Sequence, residues 1–139
     1  MAAFNKFNAF VADVANKVHN LGADTLKVML TNTAPVATNA IKSDVTEIAA
    51  ANGYTAGGTQ ATLVSSAQSG GTYTLKLNNV NFTASGGSIA TFRYAVLYNS
   101  TPVAGNLIGW WDYGAGLTVT IGNSFQVQFD ATNGVLQLQ

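Results

Sequence analysis

The chain has 139 residues and no cysteine, the length of one ordinary domain, so disulfide frameworks, thiolate metal sites and cysteine nucleophiles are excluded. Only 9% of residues are charged, against about 25% in an average soluble domain. Lys plus Arg (6) cancel Asp plus Glu (6), and a surface of this kind favours association over a dispersed monomer.

The missing charge is replaced by Gly, Ala, Ser, Thr, Asn and Gln, which suits a protein packed against copies or neighbours; secreted β-domains share such a composition. The basic residues Lys6, Lys17, Lys27, Lys42, Lys76 and Arg93 are scattered and form no patch for phosphates. No run approaches the roughly 18 apolar residues of a membrane span. Asp13 and several asparagines interrupt the only stretch that could be a signal peptide. The expectation is a soluble protein made in the cytoplasm, with neither nucleic acid nor membrane as partner.

In chain order the first element is a helix. Phe4, Phe7, Val11, Val14 and Val18 recur at steps of three and four, and Phe10 widens the stripe, the spacing of one helical face. Asp13 and Lys17 stand at i and i+4, and Gly22 offers a left-handed stop. The spacing predicts a helix over about residues 3–19. It packs on its own domain or docks on a partner, and the intramolecular reading is the commoner one.

The period then changes to two. Leu26, Val28 and Leu30 alternate with Lys27 and Met29 as a first strand, and 31–39, with Pro35, is a polar loop. A short helix is predicted near 44–50, with Asp44 as cap and Glu47 reaching back. Asn52-Gly53 and Gly57-Gly58 mark turns around Tyr54. Further strands are predicted at 62–66, 72–77, 80–83, 89–98, 107–112, 117–121, 124–129 and 135–138, between glycine-rich turns. Ile121-Gly122-Asn123-Ser124 reads as a tight hairpin. Phe92, Tyr94, Val96 and Tyr98 fall on one face of their strand, with Arg93, Ala95 and Leu97 on the other, so that strand is central. The expected fold is mainly β: a single domain over 1–139, an antiparallel jelly-roll-like β-sandwich with an N-terminal amphipathic helix.

Residues that carry chemistry are sparse. The lone histidine, His19, falls at the end of the predicted helix, where a cation is favourable, and reads as a capping or surface residue rather than a triad base. The carboxylates are Asp13, Asp24, Asp44, Glu47, Asp112 and Asp130. They form no calcium loop, and His and Cys are too few for a metal site. Gly53–Gly58 lacks the lysine and following helix of a phosphate loop. No catalytic, cofactor or metal residues are assigned. The richest segment is 107–114, where Trp110, Trp111 and Tyr113 could stack on a sugar. Adjacent strand residues point to opposite faces, which favours core plus interface. Arg93, the sole arginine, interrupts an interior strand and needs a partner; Asp112 is the preferred one.

Several motifs together resemble a known family. Thr25-Leu26-Lys27-Val28-Met29-Leu30-Thr31-Asn32-Thr33-Ala34-Pro35 and Gly53-Tyr54-Thr55-Ala56-Gly57-Gly58 come first. Ala90–Tyr98, Trp111-Asp112-Tyr113-Gly114, Phe125–Phe129 and Gly134-Val135-Leu136 follow. The chain is similar, over nearly its whole length, to small virion proteins of tailed bacteriophages. The resemblance implies a structural role without enzymatic activity or cofactor: a capsid decoration or cement protein in the virion. Its partner would be the major capsid protein or another virion protein, and it would act as a homodimer or homotrimer. Arg93 and Asp112 carry over only as fold determinants. Phe4, Phe7, Phe10, Trp110, Trp111 and Tyr113 are the candidate interface residues. Two rival classes stand beside this one. One is a tail- or fibre-associated carbohydrate- or receptor-binding module using Trp110 or Trp111 with Tyr113. The other is a hydrolase using Asp112 and Asp130, which lacks an acid–base constellation.

Overall fold

Side chains along much of the chain alternate between buried and exposed, and a period of two builds sheets. The computed structural model describes residues 2–139. In chain order the elements are β1 (Phe4–Lys6), α1 (Asn8–Ala15), β2 (Leu26–Thr31), a 3-10 turn (Lys42–Asp44), β3 (Thr59–Gln60), β4 (Leu63–Ser69), β5 (Thr72–Leu77), β6 (Val80–Thr83), β7 (Phe92–Asn99), β8 (Leu107–Leu117), β9 (Ser124–Val127) and β10 (Leu136–Leu138). They form a five-stranded sheet, β1-β8-β7-β2-β3, a three-stranded sheet, β10-β5-β4, and the pair β6-β9. Every pairing is antiparallel.

The three sheets share one core. Val28 and Leu30 of β2, Leu75 of β5, Phe82 of β6, Ile108 and Trp111 of β8, Val127 of β9 and Leu136 of β10 pack in a single cluster. On the other face of the five-stranded sheet lies a smaller cluster of Phe7, Met29, Val96, Tyr98 and Leu107. Val45 and Trp110 pack against it, and residues 36–48 are laced to its rim. Ala37 O accepts the Asn8 N–H, Ala40 O accepts Leu107 N–H, and Ile48 N–H donates to Leu30 O. The centre of the sheet is thus buried on both faces, and β7, predicted central, is buried from Tyr94 to Asn99.

The N-terminal helix is shorter than predicted and does not begin the chain. Phe4, Asn5 and Lys6 form β1 opposite Trp111, Trp110 and Gly109, because the outer edge of β8 offers backbone partners that a helix would forgo. Helix α1 has eight residues and no side-chain N-cap, so packing of Phe10 and not local propensity holds it. It ends at Asn16, and the left-handed residue is Lys17, with φ 66°; Gly22 does not serve as the stop. With the helix finished, Lys17 is exposed and Asp13 bonds Asn106 instead of it. Near 44–50 only the single 3-10 turn forms. Its Asp44 carboxylate reaches back to the Ala40 and Ile41 N–H groups, while Glu47 turns elsewhere.

Two further expectations change. Phe92 lies opposite Leu117 and Tyr94 opposite Asp112, so Arg93 alone faces residues 113–116. This bulge reverses the alternation, and Phe92 joins the main core with Ala95 and Leu97. The turn at Gly122 forms, with Asn123 N–H donating to Thr120 O, but it closes no hairpin. β9 pairs with β6, and residues 118–121 belong to no strand.

Candidate functional site

The aromatic residues singled out from the sequence are spent largely inside the chain. Phe7 is fully buried, its ring 4.5 Å from that of Trp110. Phe10 is buried against His19. Trp111 is only 4% exposed, its ring 5.3 Å from that of Phe4 and 5.4 Å from that of Phe129. Trp110 and Trp111 face opposite clusters, so the two indoles share no platform. Phe4, Trp110 and Tyr113 keep partial exposure, and Tyr113 meets Phe125 edge-on at 5.1 Å. Burial pushes the Tyr113 hydroxyl up to about 12.

Arg93 finds Asp112, as the sequence suggested. Nε donates to Oδ1 at 2.7 Å and Nη2 to Oδ2 at 2.9 Å, a two-pronged pair. The burial expected for it is absent, since the two side chains are 39% and 38% exposed. The bulge opposite Arg93 leaves it without a strand neighbour on which to pack, and it lies instead over the Tyr94 ring at 5.3 Å. The Arg93 bond, then the Gly114 N–H, hold the Asp112 carboxyl below its usual range. Asp130 serves its own turn, accepting from Thr132 and Asn133 N–H. Asp112 and Asp130 are each engaged locally.

Sequence reasoning missed two polar clusters. Glu47 Oε1 accepts from Tyr54 Oη and Gly57 N–H, both at 2.5 Å, and Oε2 faces Lys42 Nζ at 3.3 Å. Tyr54 Oη in turn accepts the Leu30 N–H at 3.0 Å, and Tyr98 Oη donates to Gly57 O at 2.7 Å. Gly58, with φ 74°, packs so tightly on β2 that an added Cβ would lie 1.8 Å from Val28 O. This cluster ties the segment after the 3-10 turn to β2. The adjacent Gly57-Gly58 turn was legible; the direction of the Glu47 side chain had no local signal.

The second cluster surrounds His19, which is buried rather than at the surface. Asn99 Nδ2 donates to Asp24 Oδ2 and lies 3.1 Å from His19 Nδ1, making Nδ1 the acceptor and Nε2 the protonated nitrogen. His19 Nε2 has no hydrogen-bond partner among the described residues, Asp13 Oδ2 being 3.9 Å away. Burial lowers the imidazole pKa, while Asp13 and Asp24 oppose the shift. An open cleft of about 340 Å³ adjoins it, lined by Val14, Lys17, Leu21, Ser66, Tyr73 and Leu138 among others. Ser66 Oγ is bonded to Tyr73 Oη at 2.8 Å, so no hydroxyl is coupled to the histidine as a nucleophile would be.

No family model matches this chain. Neither does any curated protein or any solved structure. Among the described residues no helix is long and apolar enough to cross a membrane, and no group of three or more His, Asp or Glu side chains converges as for a metal.

The surface itself is the remaining feature. Val11, Val36, Leu63, Val64, Val103 and Ile121 are exposed large apolar residues, Val103 entirely so. They stand on a chain with only 9% charged residues.

Proposed function

We propose that the chain is a non-catalytic structural subunit of a tailed-phage virion, of the capsid decoration or cement type. It binds the outer surface of a shell built from a major capsid protein and stiffens it, acting as a homodimer or homotrimer. The observation that carries the reading is the exposed apolar set on a sparsely charged surface. Weak apolar and polar contacts repeated by symmetry hold through avidity, and a low-charge surface does not oppose them. The sequence motifs support the same reading. The core shared by the three sheets supports taking the fold as a jelly-roll-like sandwich.

The test is titration of purified shells lacking the protein, with stoichiometry and shell melting temperature recorded. Saturation at a fixed copy number with a raised melting temperature is the expected result. Absence of binding sinks the decoration reading.

A second reading is a tail- or fibre-associated carbohydrate-binding module. One observation favours it: a small cleft lined by Ala2, Trp111, Tyr113, Gln126 and Gln128. Gln128 Nε2 donates to Gln126 Oε1, and Gln126 Nε2 donates to Asn81 Oδ1, each at 3.0 Å. Amides beside an aromatic edge suit a sugar. A glycan array with wild type and Tyr113→Ala decides it, a hit lost in the variant being the supporting result.

A further inference from the structure

We propose that the free edge of β4 is a self-association surface, on which a second copy of the chain pairs its own β4 antiparallel about a two-fold axis. The inference rests on the reading of the chain as an assembly subunit and names the surface by which its copies meet.

β4 closes one side of the sheet β10-β5-β4 and, among the described residues, is the only seven-residue strand at a sheet edge. β1 and β10 have three residues, β3 two, and β6 and β9 four each. Among the described residues, no backbone hydrogen bond joins β4 to anything but β5. Its outward N–H and C=O groups are therefore left to solvent or to another strand.

Edges of this length are ordinarily blunted by charge, by proline or by a bulge. β4 reads LVSSAQS, with no charge and no proline, and its register shift lies at its start, between Leu63 and Ser65. The remainder, 65–69, pairs regularly with β5. The Ser66–Tyr73 hydroxyl bond braces the hairpin on its inner face, so the edge is preformed and little ordering opposes docking.

The occupant that fits is a second copy. Antiparallel pairing of one strand with itself is self-complementary, and a two-fold contact closes on itself instead of growing a fibre. A foreign acidic or basic segment would find no charge on β4 to recognise. Two copies with balanced charge do not repel each other. Pairing centred on Ser66 opposes Ser65 to Ala67, side chains small enough for the close spacing of paired strands. It also sets Leu63 and Val64, 44% and 56% exposed, across from Ser69 and Gln68 of the other copy. The product is a continuous six-stranded sheet, β10-β5-β4 joined to β4-β5-β10.

Sedimentation equilibrium on the full chain tests this. The wild type is expected to be dimeric. Ser65→Lys combined with Ala67→Lys places like charges opposite one another and should raise the dimer dissociation constant roughly tenfold or more, with the far-UV circular dichroism spectrum unchanged. Because the chain has no cysteine, Ser65→Cys combined with Ala67→Cys gives a second readout, since pairing centred on Ser66 brings position 65 of one copy directly opposite position 67 of the other. It should form a disulfide-linked dimer on mild oxidation, while Val103→Cys on another exposed loop should not. A monomeric wild type, an equally tight lysine variant, or equal cross-linking at position 103 overturns the proposal. A monomeric wild type that still saturates shells overturns the edge and leaves the assembly reading standing. A dimer broken by the lysines that binds no shell keeps the edge and overturns the assembly reading.

Discussion

Tyr54 is only 3% exposed, and its hydroxyl both accepts the Leu30 N–H and donates to Glu47. Burial and then the Glu47 carboxylate push its pKa far above the usual tyrosine range, so it remains a donor at any working pH. Tyr54→Phe strands the Leu30 N–H and leaves Glu47 Oε1 with the Gly57 N–H alone, which should cost about 1–3 kcal/mol. Tyr98→Phe removes only the bond to Gly57 O and should cost about 1 kcal/mol. Urea denaturation ranks the two; equal costs would mean that Glu47 finds water once Tyr54 leaves. His19 makes a prediction in pH. Burial holds its folded-state pKa below the ordinary 6.5, with Asp13 and Asp24 pulling the other way. As pH falls below about 6.5 the unfolded chain takes up a proton that the native chain refuses. Stability should therefore fall by up to ~1.4 kcal/mol per pH unit from this group, until the folded-state pKa is reached. Denaturation midpoints between pH 7 and pH 5 should show that slope, and His19→Gln should flatten it.

At the scale of elements, β1 depends on a glycine in another strand. A Cβ at Gly109 would lie 2.2 Å from the Phe4 ring and 2.6 Å from Asn5 O, so Gly109→Val must lift β1 from β8. The expected cost is about 1–3 kcal/mol, with faster amide exchange at Asn5 and Lys6 and a red shift in tryptophan emission. Normal protection at those amides would show that β8 yields instead. The same region explains what was legible in the sequence. Where apolar and polar residues alternate between turns, local pattern sufficed: 72–77 and 80–83 are strands as predicted. Phe4, Phe7 and Phe10 have helical spacing, yet Phe4 goes to a strand because a distant edge recruits it. Phe92 changes face because β8 supplies extra residues opposite Arg93, an insertion that the β7 sequence does not record. The Arg93–Asp112 pair was readable because an isolated charge in an interior strand demands a partner. The burial of His19 was not, since it follows from where α1 stops.

At the scale of the whole molecule, charge sets the behaviour. With balanced charges and an isoelectric point near 6.5, self-association should be strongest near that pH and weaken on either side. Added sodium chloride should change it little, because few charges are available to screen. Light scattering across pH at two salt concentrations checks both statements. A strong salt dependence would point to a charged interface and away from β4. Trapping the dimer through the Ser65→Cys, Ala67→Cys double variant would show whether the pH dependence belongs to that edge.

The pairing of β1 with β8 also bears on how the chain is made. Asn5 and Trp110, which touch through the Asn5 amide, are 105 residues apart. On a ribosome adding roughly 5–20 residues per second, the N-terminal segment must wait several seconds or more for its docking strand to be synthesised. During that interval Phe4, Phe7 and Phe10 have no core to enter. The segment from Phe4 to Phe10 is then an apolar stretch that a chaperone would find exposed, and its docking as β1 has to follow the synthesis of β8.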